Sequence, residues 1–164
     1  GFLTSELRLE EIFSPSYLFD FFAGLHHVDP EWASERKRLL FAQFGIDKYS
    51  HMKLAELSTG MRQMTSLVVA IAHDPAVIIF DEPTNGLDLV AAKTVTDFIF
   101  EMREQGKTIV LSTHLFDLVK RVCDRVGIII GGSMVFQDSL SSLSAGSDLE
   151  DLFFKLYDGT RGQR

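Results

Sequence analysis

The sequence has little of what marks secreted, membrane-spanning and nucleic-acid-binding proteins. Its single cysteine, Cys123, forms no internal disulfide, so a reducing cytosolic setting is expected. Its longest apolar runs, residues 67–72 and 126–130, fall far short of the about 20 residues that a membrane-spanning helix needs. Its 16 Lys and Arg residues are outnumbered by 23 Asp and Glu, and the net charge of −7 argues against nucleic acid as a main partner.

The remaining composition is that of a globular domain. Hydrophobic residues make up 46% of the sequence and charged residues 24%, which excludes disordered, collagen-like and rod-like coiled-coil chains. A length of 164 residues suits a single domain with one core. Because the sequence opens with Gly1, Phe2 and Leu3 rather than Met, we expect it to be a piece of a longer protein.

The first fifty residues predict two helices. Ser14 is a possible cap before Pro15, which suits a first helical position. Asp29 and Pro30 begin a second helix in the same way, and Gly45 ends it. The residues expected on the buried faces are Leu18, Phe21, Phe22, Leu25 and Val28 in the first helix and Trp32, Leu39, Leu40 and Phe44 in the second.

Helices and strands alternate after residue 58. Continuous apolar strands are typical of a parallel sheet that is covered on both faces. The pair Gly131-Gly132 predicts a tight hairpin that would close this sheet. A Ser-rich linker at 139–147 and a short helix at 149–157 are expected to follow. The other predicted elements are helices at 58–72 and 89–104 and strands at 77–80, 108–111, 126–130 and 133–136.

Two adjacent carboxylates, Asp81 and Glu82, follow the apolar strand of residues 77–80. Open α/β sheets bind their ligands at the carboxyl ends of the strands. In nucleoside triphosphatases, the first acid at such a position can hold Mg²⁺ and the second can orient or deprotonate an attacking water. The alternative is an acidic turn without chemistry, and taken alone the two interpretations are about equally supported.

A second candidate segment, Leu-Ser-Thr-Gly-Met-Arg-Gln at residues 57–63, opens a helix some twenty residues upstream. Ser58 offers a hydroxyl and Gly60 allows close approach of the backbone. The start of a helix also presents N–H groups and a positive potential that suit a phosphate. Taken alone, however, an N-cap serine and a loop glycine explain this segment better.

The combination of motifs changes this interpretation. The ordered segments Leu-Ser-Thr-Gly-Met-Arg-Gln, Phe-Asp-Glu-Pro-Thr-Asn-Gly-Leu-Asp and Leu-Ser-Thr-His, at residues 57–63, 80–88 and 111–114, resemble the nucleotide-binding domain of ABC transporters. The resemblance implies an α/β, P-loop NTPase-like fold with a mostly parallel but incomplete sheet, a helical signature subdomain and a C-terminal β-hairpin. It also implies ATP and Mg²⁺ as cofactors. The tail at 149–156 is similar to the ending of ATPases that drive ABC-2-type and sodium-exporter-like pumps.

The resemblance implies a role for each matching residue. The signature loop includes Ser58, Thr59, Gly60 and Met61, and in this family it contacts the ATP γ-phosphate held by the opposite subunit. Thr59 stands where Gly is commoner, and Met61 where Gln is commoner, while Ser58 and Gly60 keep the residues that carry the phosphate contacts.

The other matching positions follow the sheet strands. The resemblance implies that Asp81 is associated with Mg²⁺ and that Glu82 polarises the hydrolytic water. It places Asp88 across the dimer seam and makes His114 the switch histidine that reaches the γ-phosphate. Without this context, a cap or core histidine would be the better interpretation of His114.

The implied organisation is that of a transport ATPase. Residues 1–72 are expected to form the helical subdomain with the signature loop, 73–137 the ATPase core, and 138–164 a linker and helix. The implied partners are a transmembrane permease subunit and a second nucleotide-binding subunit, with no nucleic acid. The implied location is cytoplasmic, peripheral on the inner face of the cell membrane.

One element of the family is missing. The phosphate loop G-x-x-x-x-G-K-[ST] does not occur in the sequence. Gly106-Lys107-Thr108 does not complete it, because Glu101 stands where the first Gly is required and the triplet is predicted to end a helix rather than to open one. Ser5 or Glu6 also stands where the family has a Gln. The chain alone is therefore expected to be inactive. Two alternatives stay open: a natural non-catalytic subunit, and a soluble ABC-type ATPase without a transport role.

Overall fold

The computed structural model describes residues 1–3, 11–143 and 148–161, and it divides into two compact units, Gly1–Ser112 and Thr113–Arg164. The predicted position of Ser5 and Glu6 lies outside the described residues. The first unit contains β1 (Phe2–Leu3), α1 (Pro15–Leu25), α2 (Pro30–Phe44), α3 (Thr59–Ala70), β2 (Val77–Asp81), α4 (Leu89–Glu104) and β3 (Thr108–Ser112). The second contains α5 (Phe116–Val122), β4 (Arg125–Ile130), β5 (Ser133–Ser139) and α6 (Leu149–Arg161).

The predicted starts of the first two helices are confirmed. The Ser14 side chain accepts a hydrogen bond from the N–H of Tyr17, and Pro15 is the first residue of α1. The Asp29 carboxylate accepts from the first N–H groups of α2. Gly45 ends α2 with φ +66, a conformation that glycine adopts without steric cost.

The predicted buried faces of these helices are partly wrong. Phe21, Leu25, Trp32 and Leu39 are about half exposed, and Phe19, Ala33 and Phe41 are buried instead. The reason is that α1 and α2 face each other through Phe19 and Phe41, whose rings meet edge to face with centroids 5.7 Å apart. The helical spacing alone does not show which side of each helix meets its neighbour.

A small apolar cluster sets the position of α3. Its buried members are Leu18, Leu54, Leu57 and Val69, and Met61 is among the partly buried residues that pack on it. Leu57 immediately precedes the helix, and Met61 lies in its first turn. Packing at both points fixes the start of α3 against α1.

The three strands of the first unit form a parallel sheet in the order β1-β2-β3. The predicted β-α-β alternation is therefore confirmed. The prediction that both faces of the sheet are covered is wrong, because side chains alternate between a buried and an exposed face. Ile78 and Phe80 are fully buried, whereas Phe2, Val77, Ile79 and Val110 are about 40–60% exposed on the other face. These four residues are called the exposed sheet face below.

The predicted hairpin is present as β4 and β5, joined by Gly131 and Gly132 with positive φ values. The prediction that it closes the parallel sheet is wrong: among the described residues, these strands form a separate two-stranded sheet. Part of the expected linker belongs to β5 and a 3₁₀ turn (Leu140–Ser142), and residues 144–147 lie outside the described part. The short α5 was not predicted. Within the ranges described, no helix is long and apolar enough to cross a membrane.

Candidate functional site

Strand β2 carries the two acids to one edge of the parallel sheet. Asp81 is its last residue and pairs in register with Ser112, the last residue of β3. The N–H of Glu82 donates to the carbonyl oxygen of Ser112 over 2.8 Å. Both acidic residues are partly buried. The acids therefore lie at the carboxyl end of the sheet, where ligands of open α/β folds bind.

Glu82 has a strained backbone. Its φ of +47 lies in the left-handed region, which costs a residue with a β-carbon roughly 1–2 kcal/mol. Two hydrogen bonds hold this conformation: one from the Glu82 N–H to Ser112, and one from the Asn85 N–H to the Glu82 carbonyl oxygen. Strained residues cluster at functional sites, where the surrounding structure fixes the direction of a side chain.

Comparing Glu82→Gly with Glu82→Ala separates the effect of backbone strain on stability from the effect of losing the carboxylate. Both changes remove the acid, but only glycine accommodates φ +47 without a steric cost. We expect Glu82→Gly to be more stable to urea unfolding than Glu82→Ala by about 1 kcal/mol. Equal stabilities, or a more stable alanine variant, would contradict the strained geometry.

The signature segment forms the start of α3. Ser58 is the N-cap, and its hydroxyl accepts from the N–H of Met61 at 3.2 Å. Thr59 and Gly60 are the first two residues of the helix, so their N–H groups have no acceptor within it. These N–H groups and the positive end of the helix dipole suit a phosphate oxygen.

The start of α3 packs directly on the loop that follows the acids. A β-carbon at Gly60 would lie 3.6 Å from the Gly86 carbonyl oxygen and 3.7 Å from Leu87 Cδ2. The Gln63 amide also donates to the Pro83 carbonyl oxygen over 3.4 Å. The structure thus brings the signature segment and the loop of residues 83–88 onto one continuous surface.

The other predicted residues occupy distinct positions. Asp88 is the N-cap of α4, and its carboxylate accepts from the Ala91 N–H over 2.8 Å. Leu89 and Val90 follow it and are 87% and 77% exposed. His114 is exposed and lies two residues beyond the end of β3, in the second unit.

The sequence analysis gave no individual role to three residues near the acids. Ser112 and Gln63 contact the acidic loop because β3 and α3 fold beside it. Thr84 has a buried hydroxyl that makes no hydrogen bond within the described residues. All three lie inside the segments at 57–63, 80–88 and 111–114, but no local sequence pattern shows that they meet.

The acidic edge fits a weakly coordinated Mg²⁺. Among the residues that the structure describes, no group of three or more His, Cys, Asp or Glu residues is placed to hold a metal ion. Mg²⁺ often takes only one or two protein carboxylates, together with water and the phosphates of a nucleotide. The carboxylate of Asp81 at the sheet edge meets that requirement.

The chain matches known proteins along most of its length. Residues 4–119 match the family model whose description is "AAA domain, putative AbiEii toxin, Type IV TA system". An uncharacterized ABC transporter ATP-binding protein of Methanocaldococcus jannaschii is 34% identical over 143 residues, which is 87% of this chain and 55% of that protein. The ABC transporter ATP-binding protein NatA of Bacillus subtilis is 33% identical over 132 residues, which is 80% of this chain and 54% of that protein.

Two further matches extend this comparison. A fluoroquinolones export ATP-binding protein of Mycobacterium tuberculosis is 32% identical over 123 residues, 75% of this chain and 40% of its own length. A solved structure of an ATP-binding subunit of an ABC transporter has a TM-score of 0.88 at 24% identity, covering 94% of this chain and 67% of that one. The chain spans about half the length of the first two curated relatives.

Proposed function

Since this chain belongs to the AAA-domain family and is a homologue of ABC transporter ATP-binding proteins, we propose that it is the rear portion of an ABC-type ATPase. In our proposal the whole protein binds MgATP, hydrolyses it as a head-to-tail dimer and powers an exporter. The observation that carries the proposal is the packing of the signature segment on the loop that follows Asp81 and Glu82. This packing supports the proposal because it gives one copy a single surface with both the signature segment and the acids, which a second copy can face head to tail so that the signature segment of each serves the acids of the other.

Each copy contributes different residues to each site. Asp81 would hold Mg²⁺, which would supply positive charge against the nucleotide phosphates. Glu82 orients the attacking water and accepts its proton. The signature residues Ser58, Thr59, Gly60 and Met61 of the second copy meet the γ-phosphate, with Asp88 near the seam and His114 reaching the same phosphate.

The exposed sheet face supports the proposal that the chain is a partial domain. An apolar patch of this kind on one side of a parallel sheet is unusual, because such sheets are normally covered on both faces. We propose that this face is covered in the whole protein by the region of the relatives that the chain does not span.

The proposed organisation of the chain has three parts: a helical subdomain at residues 1–72, an ATPase core at 73–137, and a linker with its helix at 138–164.

The proposed partners are a second copy and a membrane permease. The exposed Leu89 and Val90 adjoin Asp88 and offer an apolar contact for the second copy. The name of the fluoroquinolones export relative supports transport out of the cell, the direction that we propose. The protein would then lie against the inner face of the membrane.

The test adds the missing part. A segment with the phosphate loop G-x-x-x-x-G-K-[ST] is joined ahead of Gly1, and the product is called the extended protein. We expect the extended protein to release phosphate from MgATP and the 164-residue chain not to do so, because only the first has groups that cradle the β- and γ-phosphates. Turnover by the chain alone, or none by a folded extended protein, would contradict the proposal.

A further inference from the structure

Two histidine rings stack beside the turn that precedes β2, whereas Asp81 and Glu82 lie at the other end of that strand. His26 is the C-cap residue of α1, and His73 lies in the turn of residues 71–76 between α3 and β2. The two ring centroids are 3.6 Å apart and the rings are inclined by only 9°. This His26–His73 stack therefore joins the end of α1 to the turn that connects α3 with β2.

The neighbouring charges are mostly positive. Asp74 lies next to His73, and its Oδ1 accepts from Arg36 Nη2 and from Lys107 Nζ, each at 3.0 Å. Arg36 comes from α2 and also donates to the Ile71 carbonyl oxygen, while Lys107 precedes β3. The carboxylate that acts on the stack is thus already shared by two cations.

These surroundings disfavour a charged His73. Burial lowers the pKa of His73 to about 4, and His26, the amino group of Gly1 and Arg36 act in the same direction, while Asp74 opposes them. The ring is therefore neutral at neutral pH, when stacking is favourable. A proton on the His73 ring would be desolvated beside His26, the amino group of Gly1 and Arg36, which disfavours the stacked arrangement.

We propose that the His26–His73 stack is an acid-sensitive contact, which holds the end of α1 against the turn between α3 and β2 and releases it on protonation. That turn links the helix that starts with the signature segment to the strand that ends at Asp81. Acidification therefore frees this turn from the end of α1. This inference goes beyond the proposed function and does not depend on it.

The direction of the pH effect follows from proton binding. The ordinary histidine pKa is 6.5, and that of His73 in the folded chain is about 4. Between these values the unfolded chain binds more protons than the folded one, so stability falls as the pH falls. The contribution of the stack is fully present above about pH 6.5 and is lost as the pH approaches about 4.

The single tryptophan is a built-in reporter. Trp32 is partly exposed, and the Arg36 guanidinium lies 5.2 Å from its ring centroid. We would follow Trp32 fluorescence of the 164-residue chain from about pH 7.5 to about pH 4, together with the urea midpoint of unfolding at the two ends of that range. We expect a transition in the wild type and its loss in both His73→Gln and His26→Gln. His51→Gln changes an exposed histidine elsewhere and should keep the transition.

Two outcomes would overturn the proposal. One is a transition that persists in His73→Gln but disappears in Asp74→Asn, because the carboxylate rather than the stack would then be the sensor. The other comes from NMR titration of the wild-type chain, which needs no variant to fold. The His73 ring should titrate well below the ordinary value of 6.5, and a midpoint at that value would contradict the stack.

Discussion

Glu82→Gln in the extended protein is expected to lower MgATP hydrolysis by on the order of 10²-fold or more, while nucleotide binding is retained. Glutamine has nearly the shape of glutamate, and the two backbone hydrogen bonds that fix residue 82 do not involve the side chain. The change therefore removes the proposed base and keeps both backbone hydrogen bonds. Phosphate release and nucleotide affinity are measured on the same preparation.

A control variant shows whether the loss of hydrolysis depends on where the negative charge is removed. Glu104 is an exposed carboxylate at the end of α4, and Glu104→Gln removes the same charge away from the acidic edge. Its hydrolysis should equal that of the unchanged protein. If Glu82→Gln lost binding together with hydrolysis, Glu82 would have a structural or metal-binding role instead.

Gly60→Asp should block the ATP-dependent dimer and leave ATP binding by a single copy nearly intact. A β-carbon fits at Gly60 at ordinary contact distances, and an acid at the start of a helix is favourable for the helix itself. The fold should therefore tolerate the change. The new carboxylate would, however, face the γ-phosphate of the other copy, and like charges at an interface cost several kcal/mol.

Sedimentation with ATP measures this effect, in a Glu82→Gln background so that the nucleotide is not consumed. Gly60→Ala is the matched control, because it adds the β-carbon without the charge, and it should keep most of the dimer. A normal ATP-dependent dimer of Gly60→Asp would remove the contact across the seam from the proposed function.

The sequence predicts best those features that neighbouring residues determine. Ser14, Asp29 and Ser58 each cap the helix that follows, because a short polar side chain satisfies the first N–H groups wherever the helix later packs. The strands that end at Asp81 and Ser112 were also predicted within one residue, since apolar runs of this length fit a parallel sheet.

Features that depend on distant neighbours were not predicted correctly. Phe21 was expected in the core and is about half exposed, because α2 lies on the side of α1 that carries Phe19. Val77 and Ile79 are as apolar as their neighbours Ile78 and Phe80, so their composition gave no sign of an exposed face. Such outcomes depend on which elements are present to pack, and a pattern within one segment does not contain that information.

In the candidate site, too, the sequence predicts the local features but not the tertiary arrangement. Sequence motifs identified Asp81, Glu82 and the signature residues separately, by type and order. Their arrangement depends on tertiary contacts: Gly60 against the loop at Gly86, and the Glu82 N–H bound to Ser112. The positive φ of Glu82 follows from these contacts, and no sequence rule would assign it to a glutamate.

Mixing two inactive variants of the extended protein tests most directly the claim that each site is built from two copies. Glu82→Gln lacks the base, and Gly60→Asp lacks a working signature segment. In a dimer of unlike copies, one site combines an intact Glu82 with an intact Gly60. An equal mixture should therefore recover hydrolysis that neither variant shows alone. The gain cannot exceed about a quarter of the full rate, the value for random pairing with one working site in each mixed dimer, because the charge of Gly60→Asp disfavours one side of the mixed dimer. A mixture as inactive as either variant alone would contradict the proposal, because both halves of the site would then belong to the same chain.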